Sequence, residues 1–543
     1  MSLKERIQTN QIYWIAGVFI LIVYIVLRIN LIEIPLDRDE GGWAYNGQQI
    51  VYHSAILYKD LYDHRGPVVS YLYALAVYLF PDTASGIHLF FHIYNFLTLI
   101  ALFLFSFYFF ESISTALWVA FVYAIFSSNP EIQGFTASNE IIMLLPTVLT
   151  LLFSVLSVNK KNPTFVILSG FMGALSCWTR VPAFFIVLFS FIYILLSRFN
   201  SRQEDKKVRL FATCKTFLLW MSGGIGCTLM IFIYFYWQGA LINLLEWNFV
   251  KSVHYNVRIT LLEGLSRYIH RLWVIYQSAP LILTSGICTI LLSVYTKDKR
   301  VIFLLGLLLF SLLTVIPLYG YPHYFAQLSP IIAILGGYGF SCIINCLTEK
   351  RKELITCLLV IFLLFVPIWI HSGYYFTMSP QRFCYTYFGT HHFPVSIQLA
   401  DYILKNTTPE DRIFIFGSES QVLFYANRQY ACSGLSNVYA IMQDSPWCKD
   451  MQEKMFREIE DVQPKYIIFV NNQMSILWDG KDSTSWFIKK LMALTKRQYI
   501  LENTFDIPVQ MAPPTMFNFE IHSEGRVPLY AIYRLNMDAQ GQK

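Results

Sequence analysis

Eleven apolar runs separated by short polar joints constrain this chain more than any other feature. They fall at about 12–34, 87–110, 113–128, 141–158, 164–179, 182–197, 211–236, 272–295, 301–318, 323–346 and 354–372. Most approach the roughly 20 residues that an α-helix needs to cross a bilayer. Composition agrees: of 543 residues, 55% are hydrophobic and only 14% charged, too apolar a balance for an ordinary soluble protein. The expected fold is a polytopic α-helical membrane protein of about eleven spans. The net charge of +6 calls for no nucleic-acid partner, because many of the basic residues sit in short clusters between apolar runs. The first run lacks a small-residue cleavage site, so the first helix is expected to stay in place.

A shorter run, Val68 to Phe80, is better suited to an interfacial or re-entrant helix. Basic residues decide how to count it. If it does not cross, and Lys4 and Arg6 are cytoplasmic, then Lys160-Lys161, Arg198 to Arg209, Lys297 to Arg300 and Lys350 to Lys352 are all cytoplasmic as well. Counting it as a span inverts all four clusters. The one exception to the charge rule is the Gln238–Arg271 loop, placed outside with Lys251, Arg258, Arg267 and Arg271. This count puts Asp37–Pro67, Asn129–Glu140, Gln238–Arg271, Tyr319–Tyr324 and everything after about Tyr374 on the outer face of the membrane.

The composition changes at about Thr377, dividing the chain into a membrane domain at 1–376 and an extracytoplasmic domain at 377–543. In the second part the apolar runs shorten to strand length at Arg412–Gly417 and Lys465–Val470, with a helix expected over Trp447–Val462 between them. Further strands are expected at Gln498–Phe505 and Leu529–Arg534, which makes a small α/β domain. Cys432 and Cys448 could pair there if the domain is extracytoplasmic. There is no Cys/His spacing of a zinc site and no Gly-rich phosphate loop.

Charge beside a membrane is costly and marks candidate chemistry. Asp39 and Glu40 are adjacent, so on a helix their side chains diverge by about 100° and suit one acting group and one anchor rather than a paired acid. A carboxylate here can act as general base, while a helix-terminal charge is the competing reading of Glu40. Asp63-His64-Arg65 sets a base, a titratable ring and a fixed cation before the short run. Arg65 and Arg180 suit a phosphate because a guanidinium donates bidentate hydrogen bonds and stays charged; snorkelling to the headgroups is the alternative. Glu140 opens a span, where either helix capping accounts for it or an acidic site shared with Asp39 on the same expected face, with or without a divalent cation. His323-Tyr324 adds polar groups to the same expected face.

Four segments together resemble a known family. Arg-Asp-Glu-Gly-Gly-Trp-Ala-Tyr at 38–45 and Asp-His-Arg-Gly-Pro at 63–67 resemble the first outer loop of GT-C glycosyltransferases of the protein O-mannosyltransferase and lipid A aminoarabinose transferase type. Gly-Phe-Thr-Ala-Ser-Asn-Glu at 134–140 is similar to the second acidic loop of their bacterial relatives, and His-Tyr-Phe-Ala-Gln-Leu-Ser-Pro at 323–330 to a late helix start. The chain departs at 65–67, where Arg-Gly-Pro stands in place of a double proline preceded by Lys or His. The resemblance implies a GT-C fold and inverting transfer of a sugar from a polyprenyl-phosphate carrier to a lipid, polysaccharide or protein acceptor at the outer face of the cytoplasmic membrane. It implies Asp39 as base, Glu40 as an orienting neighbour, Glu140 as second-loop acid, and Arg65 and Arg180 as phosphate contacts. His64, His323 and Tyr324 are expected on the donor-phosphate side with them. Two rivals stand beside this reading: a transporter or flippase for lipid-linked sugars, which should carry polar groups or helix breaks near the bilayer midplane, and a binding-only assembly subunit.

Overall fold

The computed structural model describes residues 3–61, 63–81, 83–199, 205–251, 260–295, 298, 300–315, 320–389, 392–433, 441–442, 444–478, 480–517, 519 and 525–536. Arg258, Lys297 and Tyr319 lie outside them. Two compact units form: one from Met1–Ile32, Leu89–Tyr234 and Val257–Thr377, the other from Glu33–His88, Phe235–Asn256 and Met378–Lys543.

Each of the eleven apolar runs contains helix among the described residues. Among the described residues seven helices are long and apolar enough to cross a membrane, or eight if one bent pair counts as a single span. The chain is thus a multi-pass α-helical membrane protein. Ile113–Phe126, Pro163–Thr179 and Arg300–Thr314 are apolar but shorter. Without a hydrophobic drive between helices in lipid, close packing needs small residues and hydrogen bonds. Both are present in the first unit. A Cβ on Gly337 would lie 2.6 Å from the Val119 backbone, so the Ser329–Asn345 and Ile113–Phe126 helices meet backbone to backbone. Ser154 shares hydrogen bonds with Ser169 and Ser190, and Thr147 with Ser176, joining three helices by buried hydroxyls. Arg28, a charge within the first apolar run, is buried: it donates to the Ala124 carbonyl at 3.0 Å and the Ser127 hydroxyl at 2.7 Å, at the carbonyl-rich end of the Ile113–Phe126 helix.

The expected continuous span at 272–295 is a correction. Leu261–Ser278 and Pro280–Tyr295 are separate helices bent by 109°. The cause is local: Ala279 precedes a proline and leaves the helical region, with φ −143° and ψ 53°.

The second unit contains a four-stranded sheet of β1 (Ile413–Phe416), β2 (Tyr466–Val470), β3 (Tyr499–Pro508) and β4 (Arg526–Leu535), in the order β1-β2-β4-β3. β1 and β2 run parallel; β4 is antiparallel to both β2 and β3. All five residues of β2 are buried, as a central strand covered on both faces requires. The strands and the Cys448–Val462 helix fall where the apolar runs predicted them. Neither Cys432 nor Cys448 is in a disulfide; their sulfurs point to the Met455 and Ile441 carbonyls.

The short run forms one helix, Val68–Leu79, of 12 residues. Its length of about 18 Å falls well short of a hydrocarbon core of about 30 Å. With residues 37–67 on the outer face, as the basic clusters predict, a cysteine at Thr83 should react with an impermeant thiol reagent added outside intact cells; labelling only in inverted vesicles would contradict a non-crossing helix.

Candidate functional site: two charged clusters

The first cluster is built in the second unit at the start of the Arg38–His53 helix. Asp37 caps it: its carboxylate accepts from the Glu40 N–H at 2.8 Å, and Glu40 Oε2 accepts in return from the Asp37 N–H at 2.9 Å, a reciprocal capping box. Glu40 is buried, and its other oxygen lies 3.3 Å from His88 Nε2. Burial, with the charges of Glu40 and Asp39 adding, pushes the Asp37 carboxyl well above its ordinary range. Asp39 is different. Its side chain is 45% exposed and pairs with Arg65 Nη2 at 3.1 Å.

Arg65 is held on several sides. Its guanidinium lies 4.8 Å from the ring of Trp43, one helical turn beyond Asp39, and Trp43 in turn packs on Tyr73 at 5.7 Å. Its carbonyl accepts from the Tyr58 hydroxyl at 2.5 Å, and its N–H donates to Asp63 at 3.0 Å. Asp63 is buried and also accepts from Ser70 at 3.1 Å. Burial raises Asp63 to about 6 despite the Arg65 charge beside it. Burial and the same charge lower His64 to about 3, so its imidazole is neutral at pH 7 and can offer a phosphate a hydrogen bond but no charge.

Behind Asp39, Arg38 holds the helix to the α/β part of the same unit. Its Nε and Nη2 donate to Glu419 Oε1 at 3.1 and 2.9 Å, and Nη1 to the Met474 carbonyl at 2.9 Å. Burial alone would raise the Glu419 carboxyl, but the Arg38 charge holds it at about 2. This pair was invisible in the sequence, since its partners are 381 residues apart.

The second cluster belongs to the first unit. Glu140, in the Asn139–Ile142 turn, is buried and pairs with Arg180 Nη2 at 2.9 Å. Arg180 sits at the C-cap of the Pro163–Thr179 helix, its guanidinium 4.6 Å from the ring of Tyr324. His323 Nε2 is 4.0 Å from Glu140, and its Nδ1 is 3.0 Å from the Gln133 side-chain oxygen. Arg180 Nη1 is buried and has no hydrogen-bond partner among the described residues. A buried donor in that state is costly unless a ligand or water accepts from it. The structure thus brings Glu140, Arg180, His323 and Tyr324 together, and Asp39, Glu40, His64 and Arg65 together. Gln133 and Trp43 were missed; Trp43 could have been found, lying four residues past Asp39 on the same helix face. Among the described residues no group of three His, Cys, Asp or Glu side chains is placed to hold a metal ion.

No protein-family model and no curated protein matches this chain. Solved structures do. The crystal structure of ArnT from Cupriavidus metallidurans bound to undecaprenyl phosphate aligns with a TM-score of 0.54 at 13% identity, covering 84% of this chain and 92% of that one. The apo form of the same protein aligns at 0.52 and 11% identity, covering 85% and 93%. At such identities the likeness is one of fold, and the fold is that of a GT-C glycosyltransferase.

Asp63 provides a test of the electrostatics. Its carboxyl titrates at about 6 in the folded chain against 3.8 ordinarily, so between these values the folded state holds a proton that the unfolded state has lost. Its contribution to stability is therefore greatest below the ordinary value and is lost as pH rises to about 6. Asp63→Asn should remove that slope, its melting temperature gaining on that of the natural chain between about pH 4 and 6.5. A constant difference across this range would contradict the assignment.

Proposed function

We propose that this protein is an integral membrane glycosyltransferase that moves a sugar from a polyprenyl-phosphate carrier to an acceptor at the outer face of the cytoplasmic membrane. On this reading residues 1–376 form the membrane catalytic domain and 377–543 an extracytoplasmic domain. The observation that carries it is the Asp39–Arg65 pair: of the three acids at the start of the Arg38–His53 helix, Asp37 and Glu40 are engaged in the capping box and Asp39 reaches toward solvent. The fold it shares with an undecaprenyl-phosphate-bound ArnT structure supports the class of donor.

In the proposed step Asp39 accepts the proton of an acceptor hydroxyl or amine as that atom bonds to the anomeric carbon. The bond from the anomeric carbon to the phosphate oxygen breaks, and the electron pair leaves with the polyprenyl phosphate. A single displacement inverts the anomeric centre. Arg65 pairs with Asp39, orients it and offers donors to phosphate, while Glu40 fixes the turn on which Asp39 sits. In the first unit Arg180, whose Nη1 has no partner among the described residues, is an anion-binding group flanked by His323 and Tyr324, and Glu140 aims its guanidinium. His64 contributes as a neutral donor.

The test compares two isosteric changes. Asp39→Asn should fold, insert and bind donor, yet turn over at least about 10²-fold more slowly, since the base is gone. Asp37→Asn should be mild, because Asn caps a helix about as well as Asp. Equal, small losses in both variants would contradict the assignment and favour transport of the lipid-linked sugar.

A further inference from the structure

We propose that the Leu261–Ser278 helix is a membrane-surface helix, seated at the boundary between headgroups and acyl chains, and that it holds the segments carrying Gln133, His323 and Tyr324 at the depth of the lipid phosphates. The seating does not rest on the proposed reaction; only the meaning of the depth does.

The helix divides into three stripes roughly 120° apart when its residues are placed at about 100° each. One stripe, Gly264, Ile275 and Ser278 with half-buried Tyr268 and Arg271, faces the protein. The second, Leu261, Leu262, Leu265, Ile269 and Trp273, is apolar and exposed, Leu262 at 80%. The third, Glu263, Ser266, Arg267, His270 and Gln277, is polar and exposed. A spanning helix has no reason to show lipid an exposed polar third, and a helix in water none to show an exposed leucine-rich third. A helix lying along the membrane surface beside a protein meets all three surroundings at once.

The 109° bend is the second, independent observation. The apolar Pro280–Tyr295 helix follows directly, and if it runs along the bilayer normal the bend lays Leu261–Ser278 within about 20° of the membrane plane. The protein-facing stripe then ties this depth to the second cluster. Arg271 pairs with Glu131 at 3.4 Å, Ser278 accepts from Asn129 at 2.8 Å, and the Tyr268 ring lies 5.3 Å from that of Phe325. These contacts fall on the two segments, 129–133 and 322–328, from which Gln133, His323 and Tyr324 project.

The test needs no substrate. Nitroxides are attached at Leu262→Cys, Leu265→Cys and Ile269→Cys, and at Glu263→Cys, Ser266→Cys and His270→Cys. All six positions are exposed, so each variant should fold. The full chain, with its exposed Cys214, Cys288, Cys346 and Cys357 changed to alanine, is placed in phospholipid nanodiscs. Collision rates are read with oxygen, which concentrates in lipid, and with a water-soluble nickel chelate. The first three labels should favour oxygen severalfold over nickel and the second three the reverse. Nickel access at all six would mean a helix in water, and exclusion of both reagents from the first three would mean a protein partner or a second copy over the apolar stripe. Either result overturns the proposal, and neither bears on whether Asp39 is a base.

Discussion

The reciprocal hydrogen bonds between Asp37 and Glu40, backed by the ion pair from Arg38 to buried Glu419, are what the first cluster depends on. Asp37 and Glu40 bond to each other and Arg38 goes to Glu419, while Asp39, its side chain 45% exposed, pairs with Arg65. Removing one partner of such a buried pair leaves an uncompensated charge, which typically costs about 3–5 kcal/mol, so the start of the helix is firmly held. Close approach reinforces it: a Cβ on Gly41 would lie 2.4 Å from the side chain of Gln421, and one on Gly47 would lie 2.7 Å from the Ala74 backbone. Asp39 therefore sits on a turn fixed from two sides, which is what its proposed role as a general base requires.

The second cluster obeys the same rule with the charges reversed. There the acid is buried and the cation is the group left with an unspent donor. Glu140 takes one side of the Arg180 guanidinium, the ring of Tyr324 covers its face, and Nη1 has no partner among the described residues. A carboxylate that orients an arginine without consuming all its donors leaves a site suited to an anion.

The sequence was most informative where physics is local. Run length matched the 12-residue Val68–Leu79 helix, and the shift to strand-length runs after Thr377 located the four strands of the described sheet. It was misleading at 272–295, where mean apolarity concealed a break at Ser278-Ala279-Pro280; the proline was the available signal. What stayed illegible is what depends on distant segments. Nothing near Arg38 announces Glu419, and nothing in Asp63-His64-Arg65 shows that burial neutralises His64 and raises Asp63. Glu40 stood between a helix-terminal and a catalytic reading; the capping box accounts for its position, and its reach to His88 needed the fold.

A glycosyltransferase of the proposed kind breaks the bond between a sugar and a polyprenyl phosphate. The most direct measurement incubates the purified full-length chain in lipid nanodiscs with a panel of polyprenyl-phosphate sugars and candidate acceptors, following free carrier and the anomeric configuration of the product. The account predicts release of carrier from at least one donor, with the configuration inverted. Intact donors throughout, together with passage of the lipid-linked sugar across the bilayer of proteoliposomes, would contradict it.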